Sequence, residues 1–185
     1  MGSGKSTALA AFERLGALTL STDAVVHSLY GQQRVVDQVV ARWGPEVAPG
    51  GAVDRAALAR VAFADDDQRA WLEALIWPLV AVQIAAFRDG SLMHDPRPRA
   101  AVVETPLLFE AGMEQLFDAT VAVIASEELR RERAAQRAHE AADERTARQM
   151  SQQEKAERAT YVVVNDGTPA QLESELASIL ERLAR

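Results

Sequence analysis

The sequence predicts an α/β fold, a parallel sheet with helices on both faces. Two observations carry this. Four short apolar runs, Ala17–Leu20, Ala100–Val103, Thr120–Ile124 and Tyr161–Val164, read as strands, and helical material separates each from the next. The last three are continuous and rich in Val and Ile, as strands buried in a parallel sheet are. Alternating strand and helix requires right-handed crossovers, which lay helices over both faces.

The helices follow from periodicity and from turn signals. Thr7–Leu15 is amphipathic, and Gly16 stands at its C-cap. Asp54–Phe63 and Asp65–Arg88 read as helices, the second with Trp71, Leu72, Leu75, Leu79, Val82 and Phe87 at helical spacing. Pro78 should kink that helix or divide it in two. Ser126–Arg137 is charged on several faces and follows the third strand. Gly44–Gly51 and Gly90–Arg99 have the glycine and proline density of loops.

Composition narrows the function. The 185 residues are 48% apolar and 25% charged, enough for one domain with a sizeable core. A formal charge of -7 argues against a non-specific nucleic-acid binder. Only two residues are lysines, Lys5 and Lys155, against 18 arginines. No cysteine is present, which removes disulfides, thiolate nucleophiles and cysteine-based zinc sites. No apolar run reaches the ~18 residues of a membrane span, and the start lacks the order of a signal peptide. A cytoplasmic protein without membrane or nucleic-acid partners is expected. His27, His94 and His139 form no metal-spaced cluster, and Trp43, Trp71 and Trp77 read as core or groove lining.

The chemistry begins at Met1-Gly2-Ser3-Gly4-Lys5-Ser6-Thr7. Gly4-Lys5-Ser6 is the end of the phosphate-loop pattern G-x-x-x-x-G-K-[ST]. Glycines let the backbone wrap a phosphate with successive N–H groups turned inward. Lys5 would reach the β- and γ-phosphates, Ser6 would bind Mg²⁺, and the helix start would offer its positive end to the anion. The first glycine of the pattern falls before Met1. We expect a start about ten residues upstream, with a strand feeding the loop. A sheet lacking that strand would show a gap. The competing reading is a flexible Gly-Ser-Gly start and a chance match.

Ligands of such sheets bind outside the carboxyl ends of the strands. Asp23 follows the first run by two residues. It is either an N-cap for Ala24–Tyr30 or a carboxylate that accepts a proton from an attacking hydroxyl, and both can hold. Glu104 ends the second strand and is either a turn acid or a Mg²⁺ ligand through water. Arg130, Arg131, Arg133, Arg137, Arg145 and Arg148 follow the third strand. Either they form a solvated face balanced by Glu127, Glu128 and Glu132, or one or two of them neutralise phosphate charge. Arg137 and Arg133 lead, being nearest the segment 138–149. Asn165-Asp166-Gly167 is a turn signal after the fourth strand, where an adenine would also sit.

These segments, in order, resemble the dephospho-CoA kinase family. The resemblance runs through Gly2 to Thr7, Thr22-Asp23-Ala24, Asp54 to Leu58, Leu75 to Val80, Pro106 to Glu110, Gln149-Met150-Ser151, Glu154-Lys155 and Val164 to Gly167. It implies a three-layer P-loop kinase fold and transfer of the ATP γ-phosphoryl group to the ribose 3′-hydroxyl of dephospho-CoA, the last step of coenzyme A synthesis. It further implies a core over 1–29 and 100–185, an acceptor-binding helical region over about 30–90 and a lid over about 138–150. Catalytic roles fall on Lys5, Asp23 and Arg137. ATP contacts fall on Gly2, Ser3, Gly4, Lys5, Ser6, Thr7, Asn165 and Gly167, and acceptor contacts on Asp23, Arg55, Trp77 and Pro106. Mg²⁺ would be held by Ser6, with Glu104 acting through water. A monomer or weak homo-oligomer is expected. The chain departs from the family pattern at Trp77, where His is frequent, and at Thr160 and Glu104, where Asp is common. The alternatives are a P-loop kinase for another small hydroxyl acceptor, and a nucleotide-binding module with impaired catalysis.

Overall fold

A computed structural model describes residues 2–136 and 150–184. The chain divides into two compact units. The first is Met1–Thr19 with Ser91–Arg185, and the second is Leu20–Gly90.

The first unit carries helix α1 (Lys5–Arg14), the start of strand β1 (Leu18–Ser21), strand β2 (Ala101–Glu104) and strand β3 (Val121–Ile124). Helix α6 (Glu127–Gln136), helix α7 (Gln152–Arg158), strand β4 (Tyr161–Val164) and helix α8 (Pro169–Leu183) complete its described part. All four strands lie within a residue of the expected runs. They stand in two two-stranded sheets, β1–β2 and β3–β4, where the sequence led us to expect a sheet with a gap. The β3–β4 pair is parallel, with Val121 opposite Tyr161 and Ile124 opposite Val164.

One apolar cluster holds this unit together. Ala8, Ala11 and Phe12 from α1 meet Leu172, Leu176, Ile179 and Leu180 from α8, and Val163 of β4 belongs to the same cluster. Val102, Val121, Val123 and Tyr161 pack against the same cluster. Each fully buried leucine contributes roughly 1.5–3 kcal/mol. The helix α8 starts where its sequence says it should. Pro169 is at the first turn, and Thr168 and Gln171 form a reciprocal capping box. The strand β4 departs from expectation. Val163 is buried, but Val162 and Val164 are exposed. Its unbroken valine run therefore covers one face of the sheet, not two.

The second unit is helical. It holds α2 (Thr22–Leu29), α3 (Gln33–Trp43), a 3-10 turn at Pro45–Val47, α4 (Arg55–Ala62) and most of α5 (Asp66–Leu92). Val35, Val36 and Val39 recur at helical spacing and are buried, so α3 was readable though not assigned above. Asp54 caps α4 by accepting the N–H groups of Ala56 and Ala57 at 2.8 and 3.0 Å. Those two bonds, Ala57 first, hold its carboxyl below its ordinary range. Trp43 and Trp71 pack edge to face, and the Trp43 indole donates to Gln68 at 2.9 Å.

Helix α5 bears on two expectations. Of the two outcomes expected at Pro78, a kink or a division, the division does not occur, because Pro78 lies inside one continuous helix. The helix is also long and apolar enough to cross a membrane by length and composition, contrary to the reading of the sequence. Within the unit it buries the stripe Leu72, Ile76, Val80 and Ile84.

Candidate active site

The turn Gly2-Ser3-Gly4 leads directly into α1. Gly2 has φ +82° and Gly4 φ +91°. Both values favour glycine, and both positions also lack room for a side chain. A Cβ on Gly2 would stand 2.8 Å from the Arg130 carbonyl oxygen, and one on Gly4 would overlap the Asn165 amide nitrogen. Ser3 is buried. The Gly4 carbonyl accepts the Ala8 N–H at 2.9 Å, closing the first turn of the helix. The amides of that first turn have no acceptor within the helix and point along its axis. Lys5 is the first helical residue, with Ser6 and Thr7 exposed beside it.

Asn165 follows β4 and is buried. Its Nδ2 donates to the Ser3 carbonyl at 2.9 Å, and its backbone N–H donates to Ile124 at 2.8 Å. Arg133 of α6 donates to the Asn165 carbonyl at 3.1 Å and the Gly2 carbonyl at 3.4 Å. The Asp166 carboxylate accepts the Ser126 N–H at 2.7 Å, which ties the same turn to the head of α6. Gly167 stands just before α8, where a side chain would overlap the Gln171 capping group. The structure thus joins Asn165 to the Gly2-Ser3-Gly4 turn by a direct bond, a pairing that the sequence did not show. Arg133, one of the two leading arginines of the sequence, is half-buried there and bonds to backbone carbonyls.

A second cluster follows β2. Glu104 is the last residue of that strand and not part of the turn. Pro106 accepts from the Lys155 ammonium at 2.6 Å. Lys155 also pairs with Glu110 at 2.8 Å, and Glu110 accepts the Met150 N–H at 2.9 Å. Arg158 pairs with Glu114 and lies over the Phe109 ring at 4.8 Å. One oxygen each of Glu110 and Glu114 is buried without a hydrogen-bond partner among the described residues. Lys155 and Glu110 were visible in the sequence as parts of motifs, but their pairing was not.

The remaining candidates lie in the second unit. Asp23 is exposed in the first turn of α2. The helix begins at Thr22, with Ser21 at the N-cap position. Asp23 is therefore not the cap of an Ala24–Tyr30 helix, and that reading is withdrawn. Arg55 is exposed at the first position of α4, and Trp77 is half-buried in α5. Arg137 and nearly all of the expected lid lie outside the described residues, of which Met150 alone is described. Among the described residues no group of three or more His, Cys, Asp or Glu could hold a metal ion. The oxygen donors Ser6 and Glu104 still suit Mg²⁺, an ion that takes few protein ligands and completes its shell with phosphate oxygens and water.

A glycine turn at a helix start with lysine next to it, in an α/β unit with a parallel strand pair, is the arrangement of a P-loop nucleotide-binding fold. A protein from Thermus thermophilus, TT1252, superposes with a TM-score of 0.78 and 34% identity, over 99% of this chain and 93% of that one. The dephospho-CoA kinase of Campylobacter jejuni shares the fold, with a TM-score of 0.61 and 20% identity over 99% of this chain and 93% of its own. The dephospho-CoA kinase (CoaE) family model matches residues 1–171. The dephospho-CoA kinase of Symbiobacterium thermophilum is 37% identical over 183 residues, covering 94% of this chain and 76% of that protein. The chain belongs to the dephospho-CoA kinase family. Its activity is phosphorylation of dephospho-CoA by ATP, the last step of coenzyme A synthesis.

Proposed function

We propose that ATP binds with its phosphates on the Gly2–Thr7 turn, and that Asp23 takes the proton from the 3′-hydroxyl of dephospho-CoA. The observation that supports this reading is the turn itself. Two glycines with positive φ lead into a helix whose first residue is Lys5. The turn's amides and the helix start favour an anion. Lys5 balances charge that builds on the β- and γ-phosphates as the phosphoryl group moves. The 3′-oxygen forms a bond to the γ-phosphorus, the bond from that phosphorus to the bridging β-oxygen breaks, and ADP leaves. The hydroxyl proton passes to the Asp23 carboxylate.

Ser6, with Glu104 through water, would hold a Mg²⁺ that neutralises the phosphate oxygens when bound. Asn165 to Gly167 would lie along the adenine. Arg137 would neutralise transferred charge from the segment after α6. The acceptor falls to the helical region 30–90, with Arg55 and Trp77 as contacts and Pro106 contributing from the turn after β2. The protein is read as a cytoplasmic monomer or weak homo-oligomer without membrane or nucleic-acid partners, and α5 as a globular helix.

The test is steady-state ADP release with dephospho-CoA as acceptor, on the parent and on Asp23→Asn. The expected result is a fall in kcat of about 10²–10⁴-fold with ATP affinity nearly kept. A parent-like kcat would remove Asp23 from proton transfer.

A further inference from the structure

A turn that aims its N–H groups at an anion must aim its carbonyls away, and buried carbonyls need donors. In this chain the donors are side chains from two distant segments. Asn165 Nδ2 takes the Ser3 carbonyl at 2.9 Å, in a buried pair. Arg133 spans the Gly2 carbonyl at 3.4 Å and the Asn165 carbonyl at 3.1 Å. The Asn165 amide fills the space that Gly4 leaves open. Its backbone N–H is fixed in turn on Ile124, at the end of β3.

We propose that Asn165 and Arg133 are positioning residues for the ATP phosphates. They hold the Gly2 and Ser3 carbonyls turned outward, so that the amides of the turn stay turned inward, and the Asn165 side chain itself reads no base. The chemistry of both residues fits the task. Asn165 must be a neutral donor, because an aspartate would set a carboxylate oxygen against the Ser3 carbonyl with no proton between them. Arg133 reaches two carbonyls from two nitrogens of one planar fork, a spacing that the single ammonium of a lysine does not reproduce. The proposal rests on the reading of Gly2–Thr7 as the phosphate turn.

The experiment compares Asn165→Asp, Asn165→Ala, Arg133→Lys and Lys5→Ala with the parent. ATP and dephospho-CoA are varied separately, and inorganic tripolyphosphate is used as a competitive inhibitor that has phosphates but no base. Asn165→Asp should raise the KM for ATP by about tenfold or more, the effect of leaving a buried carbonyl facing an acceptor. The inhibition constant of tripolyphosphate should rise by a similar factor, and the KM for dephospho-CoA should stay within twofold. Asn165→Ala and Arg133→Lys should shift the same two constants less. An unchanged tripolyphosphate constant in Asn165→Asp would assign the side chain to the base and overturn the proposal. So would equal rises in both KM values alongside a large fall in melting temperature. If Lys5→Ala leaves kcat, the KM for ATP and tripolyphosphate inhibition at parent values, the phosphate turn itself is misread and the brace falls with it.

Discussion

Two hydrogen-bonded clusters in the same compact unit are built from opposite chemistry. Around Gly2–Gly4, an amide and a guanidinium donate to backbone carbonyls. Around Pro106–Glu114, two carboxylates take two cations, and one oxygen of each is buried without a partner among the described residues. The first cluster uses up acceptors and leaves an electropositive helix start. The second uses up its cations and keeps surplus acceptors, which repel an anion. The comparison teaches that the count of basic residues does not locate a phosphate site. On the proposed reading, what locates it is where donors remain after the protein's own acceptors are satisfied. Each cluster holds one of the two lysines. Lys5 opens α1 at the proposed phosphate turn, and Lys155 bonds to Glu110 and Pro106.

The two lysines therefore give the sharpest contrast. Lys5→Ala should lower kcat about 10²–10³-fold with little change in melting temperature, because the charge acts on the moving phosphoryl group. Near-normal turnover would break the assignment. Lys155→Met should do the reverse. It leaves Glu110 half of a mostly buried pair, at a cost of about 3 kcal/mol, while turnover per folded molecule stays near the parent value. The double variant Glu110→Leu with Lys155→Met should recover most of that loss. Equal melting temperatures for parent and Lys155→Met would show the pair to be idle.

The smallest effect belongs to a site that neither cluster touches. Asp54 caps α4, and its two backbone bonds depress its pKa. A depressed carboxylate pKa contributes stability above the unfolded value, and that contribution is lost as pH falls through the folded value. Asp54→Ala should melt slightly below the parent at pH 7 with unchanged kinetics. The difference should vanish on acidification below the folded pKa. A difference that persists there would point to packing at α4 in place of the charge.

The strands were legible because each is an apolar run between turn signals, and their ends fell within a residue of the reading. The glycine turn at the head of α1, which we propose as the phosphate turn, was legible because glycine, lysine and serine stand adjacent. Its supports were not. Asn165 and Ser3 are 162 residues apart, and nothing local in Val164-Asn165-Asp166 names that partner. The glycine at position 4 announced a need for space without saying that Asn165 would fill it. The second cluster was hidden in the same way. Pro106 to Glu110 and Glu154-Lys155 were recognised as strings, but the 2.8 Å ion pair between them is a product of the fold. The exposed face of β4 was misread because a run of valines looks the same whether one face or both are covered.

The most direct test of which cluster receives the anion is residue-resolved. Backbone amide resonances would be followed by NMR while ADP with Mg²⁺ is added to the protein. The account predicts the largest shifts at Ser3, Gly4, Lys5 and Ser6, with Glu110 and Lys155 close to their starting positions. Shifts centred on Pro106 to Glu114 and Lys155, with the Gly2–Ser6 amides unmoved, would contradict it.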